Sequence, residues 1–239
     1  MKTAYKTSYN PFEKQIGRDA AKMVDFGVYS TILTHCLHYH TKEQGDGVMV
    51  GSIAFLFPGQ GSQVVGMGTK LAASHTVARQ VFEEVNDSLD ENLFEIMRDG
   101  PEDLIRMTRN AQPALFSSSM AAVKVLELEL GVPLTSLGAM AAGHSLGEYA
   151  ALAACGSLQI SDAARLLRKR GDAMQSSVPV GEGAMAALIG ANEDTVNEIL
   201  NEAKTSGLVQ IANDNAPGQI VISGATLAVD AAIEIAKTN

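Results

Sequence analysis

A serine at the centre of a Gly-x-Ser-x-Gly pattern is the residue of this 239-residue chain best suited to chemistry. Gly143 and Gly147 flank Ser145, an apolar run over residues 137–142 precedes them, and an Ala- and Leu-rich run follows. That order predicts a strand, a tight turn and a helix, which is the context of a nucleophile held on a strained corner. Such a corner directs the Leu146 backbone N–H and the helix N-terminus at an oxyanion. The alternative is a glycine-rich turn with an incidental serine, but the flanking pattern favours the nucleophile.

An arginine is the second candidate, on a helix predicted from Asp162 to Gln175. Arg170 falls on the same face as apolar residues spaced three and four apart, while Arg165, Arg168 and Lys169 fall on other faces. The apolar members of that face are Ala163, Leu166, Leu167 and Met174. A charge on an apolar face must be paired or used for a ligand. Structural pairing is the more common explanation, and the functional alternative is a planar fork for a substrate carboxylate.

The elements that must position these residues begin with a strand over residues 53–57. This run is continuously apolar, as in a buried parallel strand. A glycine-rich loop over residues 58–63, which includes Gln60, follows at the carboxyl end, where open α/β sheets bind ligands. A plain turn is the alternative, and a phosphate cradle is disfavoured because no Gly-Lys-Ser/Thr follows. Helices are predicted over residues 70–87, 92–98 and 112–130.

From Gly181 the pattern changes to the order β-α-β-β-α. Strands are predicted over residues 184–190, 208–212 and 219–223, and helices over residues 193–206 and 225–237. This order matches a ferredoxin-like unit without its final strand. An incomplete sheet exposes an unpaired edge, which proteins normally avoid, so we expect a C-terminally truncated chain.

The predicted fold class is therefore α/β, with two subdomains. Residues 49–180 would form an α/β-hydrolase-like large subdomain with a parallel sheet, and residues 181–239 an incomplete ferredoxin-like small subdomain. Residues 1–48 hold three of the five histidines and no sustained pattern, so we expect a poorly ordered N-terminal extension. The cluster of His35, Cys36, His38 and His40 lacks the usual ligand spacing, and we expect no metal there.

Composition narrows the class of partners. The net charge of −9 argues against general nucleic-acid affinity. No run of about 18 apolar residues predicts a membrane span, and the N-terminus lacks the features of a secretory signal. Two cysteines, Cys36 and Cys155, offer no disulfide framework and suit the cytoplasm. An acidic partner would need a basic patch, and the one dense run of basic residues is Arg165, Arg168, Lys169 and Arg170.

Four segments, taken together, are more specific than the serine motif alone. They are residues 57–63 (FPGQGSQ), residues 143–148 (GHSLGE), the Arg170-Gly171 step and residues 213–224 (NDNAPGQIVISG), and Gln112-Pro113-Ala114 also fits. In this order they resemble the malonyl-CoA:acyl carrier protein transacylase family, which includes the acyltransferase domains of fatty-acid and polyketide synthases. The likeness covers residues 49–239.

The resemblance implies an activity and a role for each site residue. Ser145 would attack the malonyl thioester of coenzyme A, and the phosphopantetheine thiol of acyl carrier protein would then accept the malonyl group. Backbone N–H groups of Gln60 and Leu146 would hold the oxyanion. Arg170 would bind the malonyl carboxylate, with His144 also in contact with substrate. Malonyl-CoA and acyl carrier protein are the implied partners, and no cofactor or metal is implied.

One departure from the family concerns the general base. In the family, the histidine that acts as the general base follows the small subdomain, and this sequence ends before that position. His144 belongs to the serine motif and is not that base, and the other histidines do not fall in a matching place. A serine without a base is weakly nucleophilic, so we expect the 239-residue chain to be severely impaired or inactive.

Two other functions stay open at this point. A serine esterase of the α/β-hydrolase type shares the Gly-x-Ser-x-Gly corner but has no use for Arg170 or for a ferredoxin-like unit. A non-catalytic fragment that only docks acyl carrier protein would need neither Ser145 nor turnover.

Overall fold

The computed structural model describes residues 53–138, 140–179 and 181–238. The predicted extension over residues 1–48, with its His35–His40 cluster, lies outside them. The described chain divides into two compact units, one ending at Ala173 and the other beginning at Met174. The sequence placed this boundary at residues 180 and 181, whereas the division falls inside the last helix of the first unit.

The first unit combines a parallel pair of strands with eight helices among its described residues. These elements are β1 (Ala54–Phe57), α1 (Thr69–Ser74), α2 (Thr76–Leu89), α3 (Leu93–Asp99), α4 (Glu102–Arg106), α5 (Thr108–Leu130), α6 (Leu134–Leu137), β2 (Met140–Gly143), α7 (Gly147–Ala154) and α8 (Ile160–Ser177), whose last residues belong to the second unit.

Strands β1 and β2 pair in parallel, in a register that puts Phe57 opposite Gly143. Both strands therefore end at the same edge of the sheet. The loop that starts at Pro58 and the turn that starts at His144 leave this edge side by side. This pairing confirms the predicted parallel sheet and is the arrangement that brings the two glycine-rich segments together.

Helix α5 begins at Thr108, four residues before the predicted start at Gln112, so Pro113 lies inside it. A proline has no N–H to donate to the carbonyl four residues earlier, here that of Arg109. Most of α5 is buried, including the polar residues Asn110 and Gln112. The predicted helix over residues 70–87 is instead two helices, because His75 adopts an extended conformation between α1 and α2.

The core of the first unit is built by α2, α3 and α5 together with the helix after the serine. Phe82 and Phe94 stack with ring centroids 4.4 Å apart, and Phe116, Met120 and Leu167 are almost fully buried in the same cluster. Burial of such side chains stabilises each by about 1.5–3 kcal/mol relative to exposure. This packing holds α5 and α8 in fixed positions beneath the serine turn.

The second unit has the predicted β-α-β-β-α order. Its elements are β3 (Gly183–Ile189), α9 (Glu193–Ala203), a 3₁₀ turn (Lys204–Ser206), β4 (Val209–Ala216), β5 (Gln219–Ala225) and α10 (Thr226–Thr238). The sheet is antiparallel, in the order β3-β5-β4. Its own apolar core lies between the sheet and helices α9 and α10.

Strand β4 is longer than predicted, because it continues beyond residue 212 through residues 213–216, three of which are polar. Register shifts between Ile211 and Asn213 and between Asp214 and Ala216 accommodate this stretch. The α/β fold class, with a parallel sheet and a separate small antiparallel sheet, is confirmed. Among the described helices, none has both the length and the apolar character needed to span a bilayer.

Candidate active site

The serine turn has the geometry of a nucleophile corner. Ser145 has a φ of 55°, in the left-handed region that non-glycine residues rarely adopt. Such a conformation costs about 1–3 kcal/mol and persists only where the surroundings impose it. Here the His144 N–H donates to the Phe57 carbonyl at 3.0 Å, and the Glu148 N–H donates to the Ser145 carbonyl at 3.1 Å. The turn is thus fixed to β1 on one side and to α7 on the other.

The two glycines of the motif are required by close packing rather than by their φ angles. A Cβ on Gly143 would lie 2.0 Å from the Gly147 carbonyl oxygen. A Cβ on Gly147 would lie 2.4 Å from the Phe57 carbonyl oxygen. Any larger residue at either position would push α7 away from the strands, so the motif spacing follows from the steric demands of the corner.

The loop after β1 contacts the serine turn, as the strand pairing requires. A Cβ on Gly59 would lie 2.4 Å from His144 Nδ1, so the exposed imidazole lies against this glycine. The Gln60 side chain donates from Nε2 to Thr108 Oγ1 at 3.2 Å, at the start of α5. The structure therefore brings Gly59 against His144, the neighbour of Ser145, and joins Gln60 to the start of α5.

The backbone N–H of Leu146 is the other predicted oxyanion donor, and the buried side chain of this residue holds it in place. Its side chain is 1% exposed, and the residue immediately precedes α7. Its backbone N–H is thus one of the donors at a helix N-terminus, where the partial positive charge favours an anion. The oxyanion roles of Gln60 and Leu146 stay predictions.

Arg170 contacts the serine directly. Its Nη2 donates to Ser145 Oγ at 2.8 Å, and its Nη1 donates to Gln112 Oε1 at 2.5 Å. Because the serine oxygen accepts this bond, its own hydrogen can still be donated to a base. The guanidinium is half-buried and faces the turn. Among the described residues, the side chain that donates to Ser145 Oγ is therefore a cation.

Gln112 is a site residue whose role the sequence did not reveal. It is completely buried, and it orients Arg170 through the Nη1 bond. The signal available in the sequence was a polar side chain at the predicted start of an otherwise small and apolar helix. No pattern of neighbouring residues could pair it with an arginine 58 positions away.

The predicted apolar face of α8 is confirmed at Ala163 and Leu167 and wrong at Leu166 and Met174. The buried residues are Ala163, Ala164, Leu167, Arg168 and Gly171, whereas Leu166 and Met174 are 45% and 47% exposed. The helix packs through its small residues: a Cβ on Gly171 would lie 2.6 Å from Arg109 Cα in α5. This close backbone contact rotates α8 so that Arg168, not Arg170, is the buried cation.

Arg168 is 7% exposed, and both of its terminal nitrogens bond to α5 or to the segment before α3. Its Nη2 donates to Glu91 Oε2 at 2.6 Å, and its Nη1 donates to the Arg109 carbonyl at 2.6 Å and to Asn110 Oδ1 at 2.7 Å. Burial lowers the pKa of Arg168, an effect that the Glu91 carboxylate opposes. The predicted basic patch therefore loses Arg168 from the surface.

The site as described combines a strained hydroxyl, a helix N-terminus and a half-buried guanidinium. Such a site can attack an acyl carbon, stabilise the oxyanion and pair a second, negatively charged group of the substrate. Within the described residues, no cluster of three or more His, Cys, Asp or Glu could hold a metal ion.

Comparison with known proteins places the sequence and fold among acyltransferases. The family described as "Acyl transferase domain" matches residues 54–239. A malonyl CoA-acyl carrier protein transacylase from Bacillus subtilis is 44% identical over 191 residues, which are 80% of this chain and 59% of the relative. The chain thus spans about three fifths of the length of the curated relatives it matches.

Solved structures agree. The crystal structure of acyl-carrier-protein-S-malonyltransferase from Bartonella henselae matches with a TM-score of 0.74 and 52% identity, over 79% of this chain and 60% of that one. A complex of a type II PKS acyl-carrier protein with its malonyl-transacylase matches with a TM-score of 0.71 and 39% identity, over 77% of this chain and 59% of the other.

Proposed function

The chain belongs to the acyl transferase domain family, and we propose that it transfers a malonyl group from coenzyme A to the phosphopantetheine thiol of acyl carrier protein. The observation that supports this most directly is the 2.8 Å contact between Arg170 Nη2 and Ser145 Oγ. It puts a cation next to the nucleophile, within reach of the free carboxylate of a short dicarboxylic acyl group attached to Ser145.

In the first half-reaction, Ser145 Oγ attacks the thioester carbon of malonyl-CoA. The Oγ–C bond forms, the hydroxyl proton passes to a base, and the carbonyl oxygen becomes an oxyanion. Backbone N–H groups of Gln60 and Leu146 would stabilise it, each donor lowering the barrier by about 2.7–4 kcal/mol. The C–S bond then breaks, and the coenzyme A thiolate leaves and takes up a proton.

In the second half-reaction, the phosphopantetheine thiol attacks the Ser145 ester. Loss of its proton accompanies formation of the new C–S bond, and Ser145 Oγ departs and is protonated. The two thioesters are close in energy, so the transfer needs no energy source and no cofactor. The family resemblance implies a histidine as the general base, but no histidine of this sequence falls in the matching place, so we expect both half-reactions of the 239-residue chain to be severely slowed.

Arg170 supports a preference for a carboxylated acyl group. Two of its five N–H donors are used by Ser145 and Gln112. A malonyl carboxylate can take the others in a charge-assisted fork. An acetyl group would leave the half-buried guanidinium without this partner, and a site built for a polar group rejects the analogue that lacks it.

The expected partners are malonyl-CoA and acyl carrier protein, and the expected location is the cytoplasm. Homology supports the partners, because the similar proteins carry names that include the acyl carrier protein. A role for His144 in substrate contact is supported by its exposure next to Gly59 and Ser145.

The proposal is tested by following the malonyl group. The chain is incubated with radiolabelled malonyl-CoA, and the label bound to protein is mapped by peptide mass spectrometry, with Ser145→Ala as the control. We expect label on Ser145, formed slowly if no histidine base reaches it, and transfer to added acyl carrier protein. Absence of malonyl-CoA binding by equilibrium dialysis would overturn the proposal.

The same preparation separates the two other functions. A serine esterase would hydrolyse a simple aryl ester and be indifferent to Arg170. A carrier-docking protein without catalysis would bind acyl carrier protein equally well as Ser145→Ala and would bind no malonyl-CoA.

A further inference from the structure

The buried cation of α8 has a partner set that the proposed chemistry does not use. We define the Arg168 cluster as Arg168, Glu91, Arg109, Asn110 and Asp172. Glu91 bridges two arginines, with Oε2 accepting from Arg168 and Oε1 accepting from Arg109 Nη2 at 3.3 Å. Arg109 Nε lies 2.9 Å from Asp172 Oδ1, an ion pair without hydrogen-bond geometry.

The cluster joins three elements at one point. Arg168 and Asp172 lie on α8, Arg109 and Asn110 lie in the first turn of α5, and Glu91 lies between α2 and α3. The carbonyl of Arg109 is available because Pro113, four residues later, has no N–H to bond it. Arg168 Nη1 takes the place of that helical donor at 2.6 Å.

The Arg168 cluster lies beside the Arg170–Gln112 pair, which we propose binds the substrate carboxylate. Arg168 bonds Asn110, and two residues further along each helix Arg170 bonds Gln112. Next to these bonds, Gly171 lets the backbone of α8 touch that of α5 at Thr108 and Arg109. Because an α-helix is rigid over one turn, fixing Arg168 against Asn110 also fixes the backbone position of Arg170, from which its side chain extends.

Stability alone is a weak reason for this arrangement. A buried ion pair stabilises little, because desolvation offsets most of the Coulomb attraction, and Arg168 Nε is buried without a partner among the described residues. An apolar residue would pack at this position at lower cost. The several fixed acceptors of Arg168 hold α8 against α5, and the neighbouring Gln112–Arg170 bond depends on that position.

We propose that Arg168 is a positioning residue, which clamps α8 to the first turn of α5 through Glu91, Asn110 and the Arg109 carbonyl and thereby sets the direction of Arg170 toward Ser145. The inference rests on the proposed function for its substrate, a carboxylated thioester. It predicts that loss of the clamp weakens recognition of the carboxylate and leaves recognition of coenzyme A unchanged.

The test compares malonyl-CoA with acetyl-CoA in calorimetric titrations of the wild type, Arg168→Met, Glu91→Ala and Arg165→Met. Arg165→Met is the matched control, because Arg165 is an exposed arginine of the same helix. We expect Arg168→Met to bind malonyl-CoA about tenfold more weakly, since an ångström of misplacement has effects of that order or larger. Acetyl-CoA affinity stays the same, Glu91→Ala shows a smaller loss in the same direction, and Arg165→Met resembles the wild type.

The inference would be overturned if a cluster variant lost affinity for malonyl-CoA and acetyl-CoA equally. It would also be overturned if both cluster variants bound malonyl-CoA as tightly as the wild type. If Arg168→Met does not fold, Glu91→Ala decides, since Glu91 is exposed and its truncation leaves no buried cavity. The side-chain N–H signals of Arg170 in NMR spectra, assigned with Arg170→Lys, provide a readout without substrate. If the wild type does not prefer malonyl-CoA, the proposed function fails, and unchanged Arg170 signals in the cluster variants would separately overturn the positioning role.

Discussion

Gly171 of α8 and Arg109 of α5 are in backbone contact: a Cβ on Gly171 would lie 2.6 Å from Arg109 Cα and 2.9 Å from the Thr108 carbonyl oxygen. This contact sets the distance between the helix that carries Arg170 and the helix that carries Gln112. We therefore expect a single added methyl group at Gly171 to disturb the site through the packing of these two helices.

Gly171→Ala should destabilise the fold and weaken malonyl-CoA binding. Backbone atoms cannot move aside as a flexible side chain does, so overpacking of about 1–3 kcal/mol outweighs the higher helix propensity of alanine. Urea unfolding measures the stability change. Lys169→Ala, on an exposed position of the same helix, should change it by less than about 0.5 kcal/mol. A Gly171→Ala protein as stable as the wild type would contradict the close contact between the two helix backbones.

Gly143→Ala should disrupt the serine corner more severely. The added Cβ would lie 2.0 Å from the carbonyl of Gly147, so β2 and α7 must separate. We expect a destabilisation at or above the upper end of the usual range for a point mutation, about 3 kcal/mol. Thermal unfolding measures it, with Ala142→Ser at the preceding exposed position as the control. Equal melting temperatures for the two variants would refute this account of the motif.

Arg170→Ala should remove discrimination between acyl groups. Hydrogen bonds to a charged group contribute about 1.5–3 kcal/mol, which corresponds to about 10- to 150-fold in affinity. Malonyl-CoA binding should fall by that factor, while acetyl-CoA binding is retained or rises. Arg170→Lys keeps the charge without the planar fork and should be intermediate. Parallel loss of both ligands would show that Arg170 holds the fold rather than the carboxylate.

Gln112→Leu should reproduce part of the Arg170 defect without removing the cation. Leucine is apolar and of similar size, so the buried space stays filled, but Arg170 Nη1 loses its acceptor. We expect malonyl-CoA affinity to fall by about fivefold, from the loss of one hydrogen bond of about 1 kcal/mol. Ser119→Ala, buried in the same helix, is the control. An unchanged malonyl preference in Gln112→Leu would mean that Arg170 orients itself without this residue.

Much of the site could be predicted from contiguous residues. The apolar run, the two glycines and the serine require one another sterically, because a corner that fits Ser145 has no room for a Cβ at Gly143 or Gly147. The strand and loop at residues 53–63 and the β-α-β-β-α order of the second unit are likewise local patterns. The four segments together are enough to identify the family from the sequence alone.

Only the tertiary structure decided which arginine of α8 is buried and what each one contacts. The backbone contact of Gly171 with a helix about 60 residues earlier sets the rotation of α8 about its axis. The apolar residues Leu166 and Met174 had predicted a different buried face. Gln112, Asn110 and the Arg109 carbonyl became partners of Arg170 and Arg168 through that same packing. Steric rules within a short segment are encoded in its sequence, whereas the rotation of one helix against another depends on surfaces that meet only after folding.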